Sequence, residues 1–273
     1  MWKLIKMDFY RLFRGKAIKI GAFVAALLCV GYMLVSLLIV AIAKATMNVD
    51  PAAIVGMEFF LSQVGWAGGV DFAEIVFSGT AAFSLFVGCM ISANFIGSEQ
   101  SCGYTKNYAG QLPNRGYTVI SKFVVTSIAQ TVILLIYAIV SAVFAMILFG
   151  NNITGYDFGA LLAALGLRLL LHLAINAIII FLCNLTKSHA VAMVAGCIFG
   201  IGVTKFAYMV ASMLLNAVKI NFSIGDYMPD GVNSQLTVGS IGDLYVKAIL
   251  VAVAFVAVFV GANYLITRRR DVK

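Results

Sequence analysis

Residues 158–183 read FGALLAALGLRLLLHLAINAIIIFLC, an apolar run that contains a single charged side chain, Arg168. A hydrocarbon core about 30 Å thick is crossed by about 20 residues of α-helix. The run is therefore long enough to cross a bilayer as one helix. Its length also exceeds what a strand or an ordinary buried helix requires.

Five further runs share this character. The chain is 62% hydrophobic and 11% charged, whereas soluble domains are about 45–50% apolar and about 25% charged. We predict one all-α integral membrane domain over residues 1–273 with six transmembrane helices. Their approximate ranges are 20–43, 75–96, 123–149, 158–183, 190–215 and 248–266.

The distribution of charge orients these helices. Segments 1–19, 97–122, 184–189 and 268–273 contain 14 of the 19 Lys and Arg residues and three of the 11 acids. An excess of Lys and Arg marks the cytoplasmic side of a membrane protein. Both termini are therefore predicted to be cytoplasmic, which an even number of spans requires. The loops 44–74 and 216–243 are predicted to be extracytoplasmic, and the protein is predicted to lie in the cell membrane.

The N-terminal segment 1–19 has the pattern of an amphipathic helix. Basic residues lie on or near one face and apolar residues on the other, which is typical of helices in the membrane interface, in contact with lipid. We expect an elbow helix that carries force into the first span, although an ordinary basic flank would show the same charges. The predicted apolar face consists of Trp2, Ile5, Phe9, Leu12 and Phe13.

No motif of an enzyme, a metal site or a nucleic-acid-binding domain is found in the sequence. The five cysteines form no C-x-x-C pair, and neither G-x-x-x-x-G-K-[ST] nor H-E-x-x-H occurs. The basic residues follow the predicted topology and are not grouped on a soluble domain. We therefore expect no catalytic residue, no metal and no cofactor in this chain.

Polar residues occur inside two predicted spans. Arg168, His172 and Asn176 share one helical face, and Lys205 is placed at a comparable depth in the fifth span. Such residues should avoid lipid. They could form a substrate path for an anionic group, be satisfied by backbone carbonyls or by acids near the outer edge such as Glu58 or Glu74, or lie at a subunit interface. His172 is not expected to bind metal.

Small residues recur at every fourth position of the fifth span, at Ala192, Gly196 and Gly200. Such rows let two helices approach closely. The row fits packing within the chain and packing at a seam between two subunits equally well.

The loop 97–122 is the longest of the predicted cytoplasmic segments, and it could be a solvated connector or a short helix that a partner contacts. The residues of this loop that follow a family pattern are Glu99, Gly103, Lys106, Asn107, Arg115 and Lys122. With them the loop resembles the one after the second span of ABC-2 type permeases of Gram-positive bacteria, including the lantibiotic and bacitracin immunity proteins. The start of the chain is similar to such permeases too. Tyr104 departs from the pattern, since the family usually has Thr there.

The resemblance implies a permease subunit that pairs with a separate ATP-binding subunit, which would bind ATP and Mg²⁺. Glu99, Gly103, Lys106, Asn107 and Arg115 would then couple the two. A second copy of the chain or a related permease would complete the transporter.

The function that this resemblance implies is export of a peptide antibiotic, a lipid or another amphipathic compound. A non-transporting membrane scaffold or sensor subunit is the alternative. A neighbouring ATP-binding subunit and substrate-stimulated ATPase activity would distinguish the two.

Overall fold

The computed structural model describes residues 1–47, 70–81, 83–103, 114–149, 153–217, 223–239 and 241–269. Nearly all of these residues are helical. In chain order the elements are α1 (Trp2–Arg14), α2 (Lys16–Met47), β1 (Val70–Asp71), α3 (Phe72–Ala81), α4 (Ser84–Ser101), α5 (Tyr117–Phe149), β2 (Ile153–Gly155), α6 (Phe158–Thr186), α7 (His189–Ile201), α8 (Val203–Ala217), a 3-10 helix (Ile224–Tyr227), α9 (Pro229–Gln235) and α10 (Ile241–Arg269).

Four of these helices are long and apolar enough to cross a membrane. The qualifying segments are Lys16–Val35, Tyr117–Ile147, Phe158–Thr186 and Leu244–Arg269, in α2, α5, α6 and α10. They match the first, third, fourth and sixth predicted spans. The chain is therefore a helical, membrane-embedded protein.

The other two predicted spans are interrupted. Residues 75–96 are divided between α3, which ends at Ala81, and α4, which begins at Ser84. The run 190–215 bends by 73° between α7 and α8, where Gly202 adopts a left-handed φ of 84°. A left-handed residue ends a helix, and glycine adopts it without steric cost. If the bent pair is one span the count is five, and six stays a prediction.

One short pair of strands departs from the all-α prediction. β1 and β2 pair in parallel, with Val70 opposite Ile153. This pair joins the segment before α3 to the one before α6. Asp157, the residue before α6, caps this helix. Its carboxylate accepts a hydrogen bond from the Ala160 N–H at 3.0 Å. Most of the predicted loop 44–74 lies outside the described residues.

Two buried apolar clusters occupy opposite ends of the bundle. The first joins α1, the start of α2, α4, the start of α5 and the end of α6. The second joins α3, the end of α5, the start of α6, α9 and the start of α10. We call the first end the α1 end. The α6 helix contributes to both clusters and is the central helix of the fold.

The α1 helix has the amphipathic character expected of an elbow helix. Leu12 of the predicted apolar face is buried, and Ile5 and Phe13 pack against the first cluster. Trp2 and Phe9 are exposed, and Phe9 stacks on Phe13 with ring centroids 4.3 Å apart. The predicted face is therefore divided into a part that packs on the bundle and an exposed aromatic part.

The small-residue row of α7 packs against α4 of the same chain. A Cβ on Gly196 would lie 2.9 Å from Cε of Met90, and one on Gly200 would lie 2.5 Å from Cα of Phe86. Ala192 is fully buried. Of the two interpretations of this row, these contacts support packing within the chain.

We predict that Gly200→Leu destabilises the bundle, because the backbone of Phe86 leaves no space for a side chain. Overpacking of this kind typically costs about 1–3 kcal/mol. The thermal unfolding midpoint of the protein in lipid nanodiscs should fall. Gly166→Leu is the matched control, since nothing lies within 4 Å of a Cβ at Gly166. Equal midpoints for the two variants would contradict the packing described.

Candidate functional site

Glu99 forms a buried ion cluster at the α1 end. Its carboxylate contacts Nη2 of Arg11 at 2.6 Å and Nζ of Lys122 at 3.1 Å. The Glu99 side chain is fully buried, that of Lys122 is 4% exposed and that of Arg11 is 29% exposed. The Arg11 guanidinium also lies over the ring of Phe95, 4.2 Å from its centroid. One carboxylate from α4 therefore binds α1 and α5 together.

Asp8 makes a second connection between α1 and α5. It is buried, and it accepts a hydrogen bond from the Ser121 hydroxyl at 2.6 Å. Asp8 and Arg11 lie one turn apart on α1, and Ser121 and Lys122 are adjacent on α5. Neither Asp8 nor Ser121 was predicted from the sequence. The one sequence signal that could have indicated this contact is Asp8 itself, an acid within an otherwise basic amphipathic segment.

Burial sets the protonation of Asp8. Removal from water raises the pKa of the Asp8 carboxyl above its ordinary value of 3.8, while the hydrogen bond from Ser121 lowers it. Glu99 raises this pKa, and the cations of Arg11 and Lys122 lower it. The net shift is upward because desolvation is the largest of these effects.

A chain of side-chain amides links the start of the loop to α6 and α10. The Gln100 amide donates to Oδ1 of Asn184 at 3.0 Å, and the Asn184 amide donates to Oδ1 of Asn263 at 3.1 Å. These three residues belong to α4, α6 and α10. The residue that follows Glu99 therefore connects the loop to two further helices.

The far end of the loop contacts α10 as well. The Asn114 amide donates to the Tyr264 hydroxyl at 2.6 Å, and the Gly116 N–H donates to Oδ1 of Asn114 at 3.0 Å. Gly116 leaves the space that the Tyr264 ring fills, since a Cβ there would lie 2.4 Å from Cε2 of that ring. Both ends of the loop are therefore attached to the helical bundle.

The predicted coupling residues fall into three groups. Glu99 is buried in the ion cluster, and Arg115 is half-buried just before α5. Gly103 follows α4 with a left-handed φ of 64°, a conformation that glycine adopts most readily. Lys106 and Asn107 lie outside the described residues. The Glu99 carboxylate is fully buried and therefore offers no surface for contact with another protein.

Arg168 is held by groups of its own chain. Its Nη1 donates to the carbonyl of Phe77 and, at 2.5 Å, to the Thr80 hydroxyl. The guanidinium also lies over the ring of Phe77, 3.4 Å from its centroid. Among the three interpretations of Arg168, the bond to the Phe77 carbonyl supports the one in which backbone carbonyls or acids satisfy it. The second partner of Nη1 is a hydroxyl and not an acid.

His172 and Asn176 face the interior together with Arg168. All three side chains are at most 2% exposed, as their shared helical face predicts. The Asn176 amide donates to the Thr126 hydroxyl of α5 at 2.9 Å. Among the described residues, no group of three or more His, Cys, Asp or Glu side chains could hold a metal ion.

Lys205 lies apart from this interior face. It is an exposed residue at the start of α8, and it borders a cavity of about 350 Å³ between α8 and the 3-10 helix. Asp226, Ser212 and Gln235 also line this cavity. The buried Asp230 accepts hydrogen bonds from the hydroxyls of Thr204 and Tyr208, the latter at 3.1 Å, and so attaches α9 to α8.

We predict that Glu99→Gln strongly destabilises the α1 end, because it leaves Lys122 buried without its counter-charge. Breaking a buried ion pair on one side typically costs about 3–5 kcal/mol. Thermal unfolding in nanodiscs should show a lowered midpoint, and adding Lys122→Met should recover part of the loss. Arg14→Gln, an exposed arginine on the same helix, serves as the control. A double variant no more stable than Glu99→Gln would argue against the cluster.

We also predict a pH-dependent effect of Asp8→Asn. With its pKa raised in the folded state, ionised Asp8 reduces stability as the pH rises above 3.8, the ordinary value. The asparagine cannot ionise, and its oxygen still accepts from Ser121. The variant should unfold at a higher temperature than the wild type at neutral pH and at the same temperature near pH 4. Asp157→Asn, at an exposed position, should show no gain at either pH.

Comparison with known proteins adds no relative. No protein-family model matches this chain, and no curated protein matches it. The resemblance to ABC-2 type permeases therefore rests on the N-terminal segment and on the loop 97–122.

Proposed function

We propose that this chain is the permease subunit of an ABC-2 type exporter. In this proposal it has six spans with both termini in the cytoplasm. A separate subunit binds ATP and Mg²⁺ and docks on the loop 97–122. A second copy of the chain or a related permease completes the pathway through the cell membrane.

The observation that carries the proposal is the burial of Glu99 between Lys122 and Arg11. This ion cluster joins α4, α5 and α1 at the base of the loop. A force applied to the loop is then shared by an interfacial helix and two helices of the bundle. A solvated connector does not require a buried, doubly paired carboxylate, whereas a loop that transmits motion requires a stiff base.

The attachments at the two ends of the loop add to this support. Gln100 connects to Asn184 and Asn263, and Asn114 connects to Tyr264. Displacement of the loop would therefore also reach α6 and α10. Stiff hydrogen-bonded contacts of this kind are a physical route by which one site biases another.

The proposed substrate is amphipathic: a peptide antibiotic, a lipid or a similar compound. The cavity beside Lys205 supports this class, since it combines the cation with polar and apolar groups, including Ser212, Met209 and Met213. Because Nη1 of Arg168 is hydrogen-bonded to Phe77 and Thr80 of the same chain, we assign Arg168 a structural role. An immunity function against a peptide antibiotic would follow from export out of the membrane.

The proposal is tested by affinity purification of the tagged chain from native membranes. We expect an ATP-binding subunit with a phosphate-binding loop to co-purify, and the reconstituted complex to hydrolyse ATP. The double reversal Lys106→Glu and Arg115→Glu should weaken association at least about tenfold, equivalent to about 1.4 kcal/mol. Arg268→Glu with Arg269→Glu, on the same predicted side but outside the loop, is the matched control.

Two results would contradict the proposal. One is the absence of any ATP-binding subunit among the co-purified proteins. The other is a loop reversal that leaves both assembly and stimulated ATPase activity unchanged. A stable complex whose ATPase activity does not respond to amphipathic compounds would favour the scaffold or sensor function.

A further inference from the structure

A group of buried polar side chains lies between α4, α5 and α6. Each of them is at most 1% exposed. We call this set the polar seam; its members are Ser92, Thr126, Gln130, His172 and Asn176. It lies within the part of the chain that is otherwise the most apolar, and no step of the proposed function uses it.

The helix registers bring these residues together in two layers. Asn176 is hydrogen-bonded to Thr126, which fixes how the antiparallel helices α5 and α6 face each other. One turn further along both helices, this register places Gln130 and His172 at the same level of the bundle. On α4, Gly88 lies against Gln130, since a Cβ at Gly88 would meet Oε1 of Gln130, and Ser92 follows one turn later.

Most polar atoms of the seam lack a partner within the described protein. These atoms are Oγ of Ser92, Oε1 and Nε2 of Gln130, Nδ1 and Nε2 of His172, and Oδ1 of Asn176. Nε of Arg168, one turn beyond His172 on α6, also lacks a hydrogen-bond partner within the described protein. A buried polar atom without a hydrogen bond is unfavourable, and buried polar groups in proteins are almost always paired. Lipid cannot supply the missing bonds.

We propose that the polar seam binds a small cluster of water molecules that complete the hydrogen bonding of Ser92, Gln130, His172 and Asn176. Buried waters in proteins typically make about three hydrogen bonds to otherwise unsatisfied groups. The seam offers donors and acceptors of both kinds, because an imidazole and a primary amide each carry both. The cluster would place water between three helices, in the interior of the fold.

The chain has two histidines, His172 and His189, which makes a direct test practical. The full-length protein is labelled with ¹⁵N and ¹³C at histidine, carries His189→Gln so that one ring remains, and is placed in lipid bilayers. Water-edited solid-state NMR then measures magnetisation transfer from water to the His172 ring. We expect transfer several-fold faster than to the buried side chain of Leu171, its neighbour on α6, labelled in a separate sample.

Two further variants link the signal to the seam. Gln130→Leu removes two of the unpaired atoms and should slow the transfer to His172 several-fold. Thr131→Val changes the next residue of α5, whose hydroxyl bonds to its own helix at the Ser127 carbonyl, and should leave the transfer unchanged. If Gln130→Leu does not fold, the comparison of His172 with Leu171 still decides the question.

A dry seam would overturn the proposal. In that case transfer to the His172 ring would be as slow as transfer to Leu171. In a second sample that also carries ¹⁵N at glutamine, a direct ¹⁵N–¹⁵N coupling between the His172 ring and the Gln130 amide would also overturn it, since the two groups would then satisfy each other. The measurement needs no ATP-binding subunit, so its outcome is independent of the proposed transport function.

Discussion

The structure depends on the rule that a buried polar group needs a hydrogen-bond partner, either inside the chain or in a bound water molecule. Glu99 shows the rule most clearly, because its carboxylate is fully buried at the end of α4 and meets Lys122 and Arg11. Those cations belong to two other helices, so satisfying one charge fixes the positions of three elements. Hydrogen bonding between Ser121 and Asp8 repeats the connection one turn along α1. The amphipathic helix is thereby attached to the bundle by polar contacts as well as by Leu12.

Arg168 obeys the same rule by a different route. No acid shares its face of α6, and the Phe77 carbonyl, the Thr80 hydroxyl and the Phe77 ring receive the guanidinium instead. That carbonyl and hydroxyl lie near the end of α3, close to the break before α4. Arg168 is thus buried against the C-terminal half of α3, next to the interruption of the second predicted span.

The sequence predicted what depends on periodicity and composition. Long apolar runs located four spanning helices, and spacing by four residues placed Arg168, His172 and Asn176 on one buried face. Such patterns do not show which side chains of different helices contact each other. For this reason Asp8 and Gln130 were not selected. The bend at Gly202 was missed for a related reason: it is one of 25 glycines, and its left-handed φ is set by packing. Loop contacts such as that of Asn114 with Tyr264 join residues distant in sequence.

The two kinds of polar contact have different mechanical consequences. Ion pairs and hydrogen bonds at the α1 end are short and join α1, α4 and α5, so these helices should move as one body when the loop is displaced. Further into the bundle, the same α4 and α5 face α6 through Gln130 and His172, whose polar atoms make no bond to one another in the described chain. Contacts completed by water can rearrange at less cost than a buried ion pair, because water exchanges partners. A movement of α6 relative to α4 and α5 at the polar seam is therefore easier than a separation of α1, α4 and α5 at the ion cluster around Glu99.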